Sequence, residues 1–326
     1  MTGQKPVASL SLDLDNKWSY MKTHGDPNWV SYPSYLDIVV PRILKLLKEE
    51  DLKITFFIVG QDAAIESNQP ALKSIADAGH EIGNHSFKHE PWMQLYTPQE
   101  VEDELSKTEA ILESVTGQKT IGFRAPGYSI SDDVLNALSR RGYTYDCSTF
   151  PTYLGSLARA YYFMTSKLTE EQKADRQQLF GTFRDGRRTN KTYWVKTKDR
   201  RMIEIPVTTF PVFKTPFHTS YVLYISAYSR FLALAYFRMA MLTCRATGIQ
   251  PSILLNPLDF LGVDDNQPEM AFFPAMNLPA EPKIEVVRQA LRIFKQYYDV
   301  RTMRDHVVSA EKDTNLVSPY PLLGLR

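Results

Sequence analysis

The chain has 326 residues, of which 43% are hydrophobic and 23% are charged, and its formal net charge is +1. This length suits one large α/β domain or two ordinary ones. A chain so close to neutral has no overall field that would steer it towards nucleic acid, so we expect no nucleic-acid partner.

The first half of the chain alternates predicted strands and helices. Residues 7–14 are mainly apolar and end in aspartates, which predicts a buried strand with polar residues at its C-terminal end. The other predicted elements of this half are a helix over 38–50, a strand over 53–59, a helix over 71–78, a strand over 81–84, a helix over 98–115, a strand over 120–123, a helix over 132–141 and a strand over 143–146. Polar residues cluster just after the strands, which predicts a parallel α/β sheet or barrel with a site at that edge.

The alternation stops after Pro151. Residues 166–201 contain eleven Lys or Arg and five Asp or Glu, which indicates an inserted helical or loop region over about 152–201. Strands are then predicted over 202–207 and 252–255, and a final helix over 284–297. We therefore predict one domain over residues 1–326, with this insertion and an aromatic-rich segment over about 210–248 inside it.

Two aspartates and two histidines are the candidate metal-site residues. Asp13 and Asp15 end the first strand, and His85 and His89 follow the third. Histidines four residues apart point the same way if they share a helical turn. One carboxylate and two imidazoles form a ligand set typical of a catalytic metal site with positions left open for water. A His-x-x-x-His pair alone is more often two surface histidines, but the placement after strands favours a metal site.

Arg124 and Asp146 also follow predicted strands. A surface cation or a simple salt bridge would account for the arginine. In a functional site, its guanidinium would hold a carboxylate in a fixed orientation. Four predicted strands are thus followed by Asp, His, Arg and Asp in turn. This arrangement favours one shared site over a chance distribution of polar residues.

Four segments in this order resemble the motifs of the polysaccharide deacetylase family, also called the NodB-homology or carbohydrate esterase family 4 group. They are residues 11–15, in a variant with one residue between the two acids, 85–89, 124–128 and 145–148. The resemblance covers residues 7 to about 151 and resumes at about 202–305. It implies a distorted (β/α) barrel of the NodB-homology type with fewer than eight strands. It also implies a divalent metal at the barrel's C-terminal mouth, usually zinc, although cobalt, nickel and manganese accept such ligands.

The resemblance also implies roles for individual residues. Asp15, His85 and His89 would bind the metal, and Asp13 would be the catalytic base, paired with Arg124. Water activated by the metal would attack an N-acyl carbon while the base takes its proton.

Further residues belong to the implied catalytic and substrate-binding set. Asp146, in the segment that resembles the fourth motif, is expected to be catalytic, and Pro126, Tyr128 and Asp259 are the expected substrate-binding residues. The oxyanion would lie between the metal and a backbone N–H, that of Tyr128 or its neighbour.

Asn256 departs from the family pattern, because a histidine that protonates the leaving amine is expected there. We keep Asn256 among the catalytic positions, although an amide cannot act as a general acid. Asp259 or His218 could supply the proton, Asp13 could return the one it gained, or the protein could be inactive, naturally or through a deliberate substitution. Loss of a general acid costs about a hundred- to ten-thousand-fold in rate, so we expect an intact metal site with weakened turnover.

The aromatic segment 210–248 has two interpretations. Arg230 and Arg238 interrupt its apolar run below the roughly 18 residues that a spanning helix needs. It could be a packed pair of core helices. Alternatively, it could make a peripheral membrane contact, with arginines reaching lipid phosphates. The basic insertion could then face anionic headgroups or a sugar diphosphate, or it could be a solvated loop.

The leading prediction is a metal-dependent hydrolase that removes an acetyl or formyl group from an amino-sugar glycan or glycolipid in glycan biosynthesis. The substrate could be lipid-linked or nucleotide-linked. The alternatives are a hydrolase of small non-sugar amides and a catalytically impaired glycan-binding protein. Two distant cysteines and an N-terminus without a signal-peptide pattern lead us to expect a cytoplasmic protein, peripheral on the inner face of the membrane if the aromatic segment binds lipid.

Overall fold

Nine strands and ten α-helices build the part of the chain that the computed structural model describes, which is residues 5–155, 168, 183–312 and 316. The strands are β1 (Val7–Leu14), β2 (Thr55–Ile58), β3 (Glu81–Asn84), β4 (Gly122–Phe123), β5 (Tyr145–Asp146), β6 (Tyr193–Lys196), β7 (Arg201–Glu204), β8 (Ser252–Leu255) and β9 (Asp299–Arg301). The helices are α1 (Lys17–Thr23), α2 (Leu36–Glu49), α3 (Gly60–Ala64), α4 (Gln69–Asp77), α5 (Pro98–Thr116), α6 (Asp132–Arg141), α7 (Thr219–Ser226), α8 (Arg230–Ala246), α9 (Ala280–Tyr297) and α10 (Met303–Glu311).

The strands form one curled, mainly parallel sheet. Their order is β6-β7-β5-β4-β3-β2-β1-β8, and β9 pairs with the first residues of β1. Only β6 and β7 run antiparallel among the paired strands that the structure describes. Beyond the end of β7, the Thr208 N–H donates to the Ser252 carbonyl of β8 at 3.0 Å, so the segment after β7 crosses the open side of the curled sheet. The predicted distorted (β/α) barrel is confirmed as a curled half-barrel, but the expectation of fewer than eight strands was wrong, because β6 and β9 extend the sheet to nine strands.

Local sequence signals set the ends of the helices between the central strands. Helix α5 begins at a capping box in which Thr97 and Glu100 exchange hydrogen bonds, and it ends at Gly117, whose φ is 71°. Left-handed backbone at a helix C-terminus favours glycine. Helix α6 is capped by the Ser131 side chain and ends at Gly142 in the same way, with φ of 91°. These caps explain why the predicted bounds of α6 agree with the structure.

The core fixes the strand ends that carry the candidate site. β1 and β2 are buried almost throughout, as central strands of a parallel sheet are expected to be. The main hydrophobic cluster joins them to helices on the outside of the sheet through residues such as Leu10, Phe56, Val39, Phe237 and Leu291. The C-terminal ends of β1, β3, β4 and β5 therefore open onto one edge of a rigid sheet.

The bounds of the helices in the aromatic segment were not predicted, although a packed pair of core helices was one of its two interpretations. The aromatic segment forms two helices, α7 and α8, and α8 packs one face into the main core. Within the predicted insertion 152–201, the structure describes β6, which extends the sheet against β7, whereas most of the remainder lies outside the described residues. Helices α1, α3 and α10 and strands β6 and β9 were also not predicted. No helix in the described part of the chain is long and apolar enough to cross a membrane.

Candidate metal centre

The ends of β1 and β3 bring Asp15, His85 and His89 together. Asp15 Oδ1 lies 3.3 Å from His85 Nε2 and 2.9 Å from His89 Nε2. All three residues are buried, and one potential ligand atom from each lies within 4.8 Å of the others. The structure thus brings together the three residues predicted as metal ligands.

The hydrogen bonds around this cluster indicate that its lone pairs point inwards. His85 Nδ1 lies 2.6 Å from the Arg124 carbonyl, which can only accept, so this nitrogen carries the proton and Nε2 of the neutral ring is free to bind a cation. Asp15 Oδ1 has no aligned hydrogen bond, although imidazole nitrogens from both histidines surround it. A buried carboxylate oxygen in this position needs a positive partner. One oxygen and two nitrogen ligands fit a zinc-type cation.

The electrostatics of the cluster keep Asp15 ready to bind a cation. Burial alone would raise the pKa of Asp15, but the neighbouring His89 and His85 outweigh burial and hold it well below its usual range. Burial would lower the pKa of His85, but the Asp13 and Asp15 carboxylates raise it. Asp15 is therefore ionised, which is the form that binds metal.

His85 and His89 do not share a helical turn, so that expectation was wrong. The chain after β3 forms a loop in which Ser86 and His89 have left-handed φ values of 62° and 52°. Asn84 Oδ1 accepts from the Ser86 N–H, and Ser86 Oγ accepts from the His89 N–H. The buried Glu104 carboxylate accepts from the two backbone N–H groups in between. These side-chain acceptors replace helical hydrogen bonds and still bring the two imidazole centroids to 5.0 Å.

Arg124 holds Asp13 beside the metal cluster. The Arg124 side chain is completely buried, and its Nη1 donates to Asp13 Oδ1 at 2.7 Å and to Ser11 Oγ at 2.8 Å. Its Nε donates to the Cys147 carbonyl at 3.2 Å, and its guanidinium carbon lies 4.4 Å from the centroid of the Phe57 ring. The guanidinium thus fixes the Asp13 carboxylate in one orientation, as expected for a positioned base.

Asp146 supports the neighbouring loop and forms a buried pair with Glu204. The sequence pattern did not single out Glu204. Asp146 accepts from both the N–H and the O–H of Ser148, and Ser148 Oγ accepts from the Ala125 N–H at 2.8 Å. This geometry favours a positioning role for Asp146. Burial, reinforced by the Asp146 charge, raises the pKa of Glu204 well above its usual range, so Glu204 carries the proton between the two carboxyl groups.

We expect Glu204→Gln to keep or increase stability at alkaline pH. Because the folded-state pKa of Glu204 is raised, its contribution to stability is fully present below the unfolded pKa of about 4.3 and falls as pH rises towards the folded pKa. A glutamine amide can donate where the protonated carboxyl donates, and it does not ionise. Urea unfolding at pH 5 and pH 8 should show the variant gaining relative to wild type at the higher pH. A variant that loses stability between pH 5 and pH 8 as steeply as wild type would contradict the assignment of the proton.

Asn256 and Asp259 connect the end of β8 to the start of α7. Asp259 is 1% exposed, and its carboxylate accepts from Thr219 Oγ1 at 2.5 Å, from Ser220 Oγ at 2.7 Å and from the Asn256 N–H at 3.0 Å. The Asn256 amide donates to Ser220 Oγ at 3.1 Å. Both oxygens of Asp259 are used within this network, so the geometry favours a structural role over the expected contact with substrate.

Pro126 and Tyr128 line the turn that follows Arg124. Pro126 is buried, and the Tyr128 ring lies 4.8 Å from the Phe150 ring. The Tyr128 N–H already donates to the Ala125 carbonyl at 3.1 Å, so the other alternative for the oxyanion donor, a neighbouring N–H, stays open. Between them, Gly127 has φ of 60°, and a Cβ there would lie 2.6 Å from the Pro91 side chain.

His218 and helix α1 add further groups near the centre. The His218 ring lies 6.0 Å from the Phe150 ring, its Nδ1 is buried without a hydrogen-bond partner, and burial together with the charge of Arg124 lowers its pKa to about 4. On α1, burial and the nearby Asp15 carboxylate raise the pKa of Tyr20 well above its usual value, so its hydroxyl keeps its proton. Sequence reasoning missed Tyr20, because α1 itself was not predicted.

Comparison with known proteins gives matches to part of the chain, and the family match includes His85, His89 and Arg124 but begins after Asp13 and Asp15. The sequence model of the family described as polysaccharide deacetylase matches residues 26–145. A peptidoglycan deacetylase-like protein of Gibberella zeae is 39% identical over 149 residues, which cover 44% of this chain and 43% of that protein. A peptidoglycan deacetylase of Helicobacter pylori is 31% identical over 146 residues, which cover 44% of this chain and 49% of that protein. The chain therefore spans less than half the length of these curated relatives.

A solved structure extends the likeness to the whole fold. A candidate polysaccharide deacetylase from Mycobacterium smegmatis superimposes with a TM-score of 0.65 over 98% of this chain and 95% of its own, at 19% sequence identity. At that identity the superposition establishes the fold alone. The sequence match makes residues 26–145 similar to the polysaccharide deacetylase family, and the motifs at the strand ends agree with that likeness.

Proposed function

We propose that this chain is a metal-dependent deacylase that removes an acetyl or formyl group from an amino sugar in glycan biosynthesis. The observation that carries the proposal is the convergence of Asp15, His85 and His89 beside a carboxylate, Asp13, that the buried Arg124 orients. The similar Helicobacter pylori protein is named a peptidoglycan deacetylase, which supports an N-acylated sugar as substrate. Zinc is the metal we propose, because its preferred ligands include histidine nitrogen and carboxylate oxygen.

The side chains divide the chemistry between them. A divalent cation in the cluster supplies Lewis acidity, which polarises an acyl carbonyl and makes water more acidic. Asp13 accepts a proton from the attacking water, and Arg124 keeps the accepting oxygen aimed at it. Because both groups are buried, the hydrogen bond between them is little weakened by solvent. The departing amine then needs one proton.

We propose that Asp13 returns its proton to the amine. Both carboxylate oxygens of Asp259 already accept hydrogen bonds, from two hydroxyl groups of α7 and from the Asn256 N–H, so neither is available to the amine. Burial and the charge of Arg124 lower the pKa of His218 to about 4. Its imidazole is therefore neutral at pH 7 and does not act as a general acid. Of the three candidate donors, Asp259, His218 and Asp13, only Asp13 remains. It already carries the proton taken from the attacking water when the amine departs.

Asn256→His is expected to raise the rate of deacylation, by up to about a hundred- to ten-thousand-fold if proton donation limits turnover. Asn256→Gln is the matched control, because it keeps an amide and adds no acid. Acetate or formate release from an N-acylated hexosamine oligomer measures both. If Asn256→His released acid no faster than Asn256→Gln, the assignment of position 256 to the proton-donor role would be wrong.

Asn256 also motivates a second candidate, a glycan-binding protein with impaired catalysis. Acid release from N-acyl hexosamine glycans by metal-loaded protein distinguishes the two, because binding without release favours the second. Parallel assays with small cyclic amides test the hydrolysis of non-sugar amides. The two cysteines are free and buried, which suits a reducing compartment, and we therefore propose that the reaction takes place in the cytoplasm.

A further inference from the structure

The outward face of α8 is apolar and basic. A surface helix normally presents charged and polar side chains to water. Here the exposed large residues are Phe231, Leu232, Met239 and Leu242, and Phe231 is 79% exposed. Arg238 lies exposed between them. The opposite face of the same helix packs into the main core, so both faces of α8 are largely apolar.

Neighbouring segments continue this surface. On α7, the Tyr224 ring lies 5.7 Å from the Tyr228 ring, and Tyr228 is 79% exposed. On the other side, the exposed Phe213 lies 5.6 Å from Phe210, which stacks on Tyr236 of α8 at 5.9 Å. We call the exposed side chains of Phe213, α7 and α8 the apolar face. Exposed apolar surface of this extent marks a site of contact with a partner or a membrane.

The chain segment that forms the apolar face carries positive charges and no negative ones. From residue 205 to residue 258 the sequence has no aspartate or glutamate, whereas it has four basic residues. Arg230 pairs with Glu285 of α9 at 3.3 Å. Arg238 bonds to neutral groups on α9, and Arg245 lies over the Tyr298 ring. Neither Arg238 nor Arg245 has a carboxylate partner among the residues that the structure describes.

We propose that the apolar face binds an anionic lipid surface. Aromatic and aliphatic side chains would enter the boundary between headgroups and acyl chains, while Arg238 and Arg245 meet lipid phosphates. A symmetric dimer through the same face is disfavoured, because it would set these unpaired arginines against their own copies. The charge therefore favours a negatively charged membrane over a second copy of this chain.

The apolar face begins beside the candidate metal centre. His218 directly precedes helix α7. Its ring lies near Phe150, and Phe150 contacts Tyr128 of the site. A protein bound through this face would hold the mouth of its barrel close to the headgroup layer. Resting on the proposed deacylase function, this placement favours an amino sugar attached to a lipid carrier as substrate.

Vesicle sedimentation tests the proposal without any catalytic measurement, so failure of the proposed enzyme function would not affect it. Wild-type protein should bind vesicles of phosphatidylcholine with phosphatidylglycerol, and should bind less as salt screens the charges. Arg238→Gln with Arg245→Gln should lower binding about thirtyfold, since each basic residue near an anionic surface contributes roughly fivefold. Phe231→Ser with Leu242→Ser should also lower it.

Val308→Ser is the matched control, because Val308 is an exposed aliphatic residue on α10 with 46% exposure. This variant should bind vesicles as wild type does. Absence of wild-type binding at low salt, or equal binding by the double-arginine variant, would overturn the proposal. A wild-type dimer in sedimentation velocity that Phe231→Ser with Leu242→Ser dissociates, together with no vesicle binding, would also overturn it and identify a second copy as the occupant.

Discussion

Asp13→Asn is expected to abolish deacylation and to leave the metal in place. Asp13 is held by Arg124 and is not one of the three converging ligand residues, so the ligand set survives the substitution. An asparagine amide cannot accept the proton of the attacking water. The rate should fall by at least the roughly hundred- to ten-thousand-fold that a general base contributes. Acid release and metal content are measured on the same purified sample.

The buried ion pair adds a cost that must be separated from the loss of the base. Without the Asp13 charge, the fully buried Arg124 keeps only neutral acceptors, which are the new amide oxygen, the Ser11 hydroxyl and the Cys147 carbonyl. Breaking a buried pair in this way costs about 3–5 kcal/mol of stability, so Tm should fall. Ser11→Ala is the control, because it removes another Arg124 partner and keeps the carboxylate. A folded, metal-loaded Asp13→Asn protein with near wild-type turnover would show that Asp13 is not the base.

His85→Ala and His89→Ala are each expected to remove the metal, and activity should be lost with it. Each variant leaves only two of the three ligand residues, and a chelate of two does not hold a zinc-type cation in a three-ligand site. The affinity for the metal should fall by more than about ten- to hundredfold, which is the loss expected when a residue that only hydrogen-bonds to a ligand is removed. Equilibrium dialysis against a metal buffer measures the change.

His306→Gln is the matched control for the two ligand variants. His306 is also buried, but it bonds to Ser9 near the other end of β1, at 2.9 Å, far along the strand from Asp15. This variant should keep its metal and its activity. Stoichiometric metal in both His85→Ala and His89→Ala would refute the ligand assignment.

The convergence of Asp15, His85 and His89 could be predicted from the sequence because parallel strands place their C-terminal ends at one edge. Periodicity alone located β1, β3 and β8 with the bounds that the structure shows. It failed in the loop after β3, where the side chains of Asn84, Ser86 and Glu104 take the backbone N–H groups that a helix would use. Two of these backbone N–H groups donate to Glu104, which lies on α5. Because Glu104 is distant in the sequence, no local pattern reveals this hydrogen bonding.

Two further residues show why position after a strand does not establish a catalytic role. Asp259 follows β8 as a site residue would, yet its carboxylate holds α7 in place. Glu204 lies at the end of β7 and gave no sequence signal, because its partner Asp146 becomes its neighbour only when β5 and β7 pair. Tertiary pairing decides both cases, so a single sequence cannot reveal them.

Arg124 constrains how the substrate range of this protein could be changed by engineering. Its side chain orients Asp13 while its backbone carbonyl orients His85, so one residue sets the angle of both the proposed base and a proposed ligand. Substitutions in this set are coupled, and their effects will not add. A library that seeks new substrates should therefore keep these three positions fixed. It should vary exposed positions at the mouth of the barrel, where changes in side chain leave the inner geometry undisturbed.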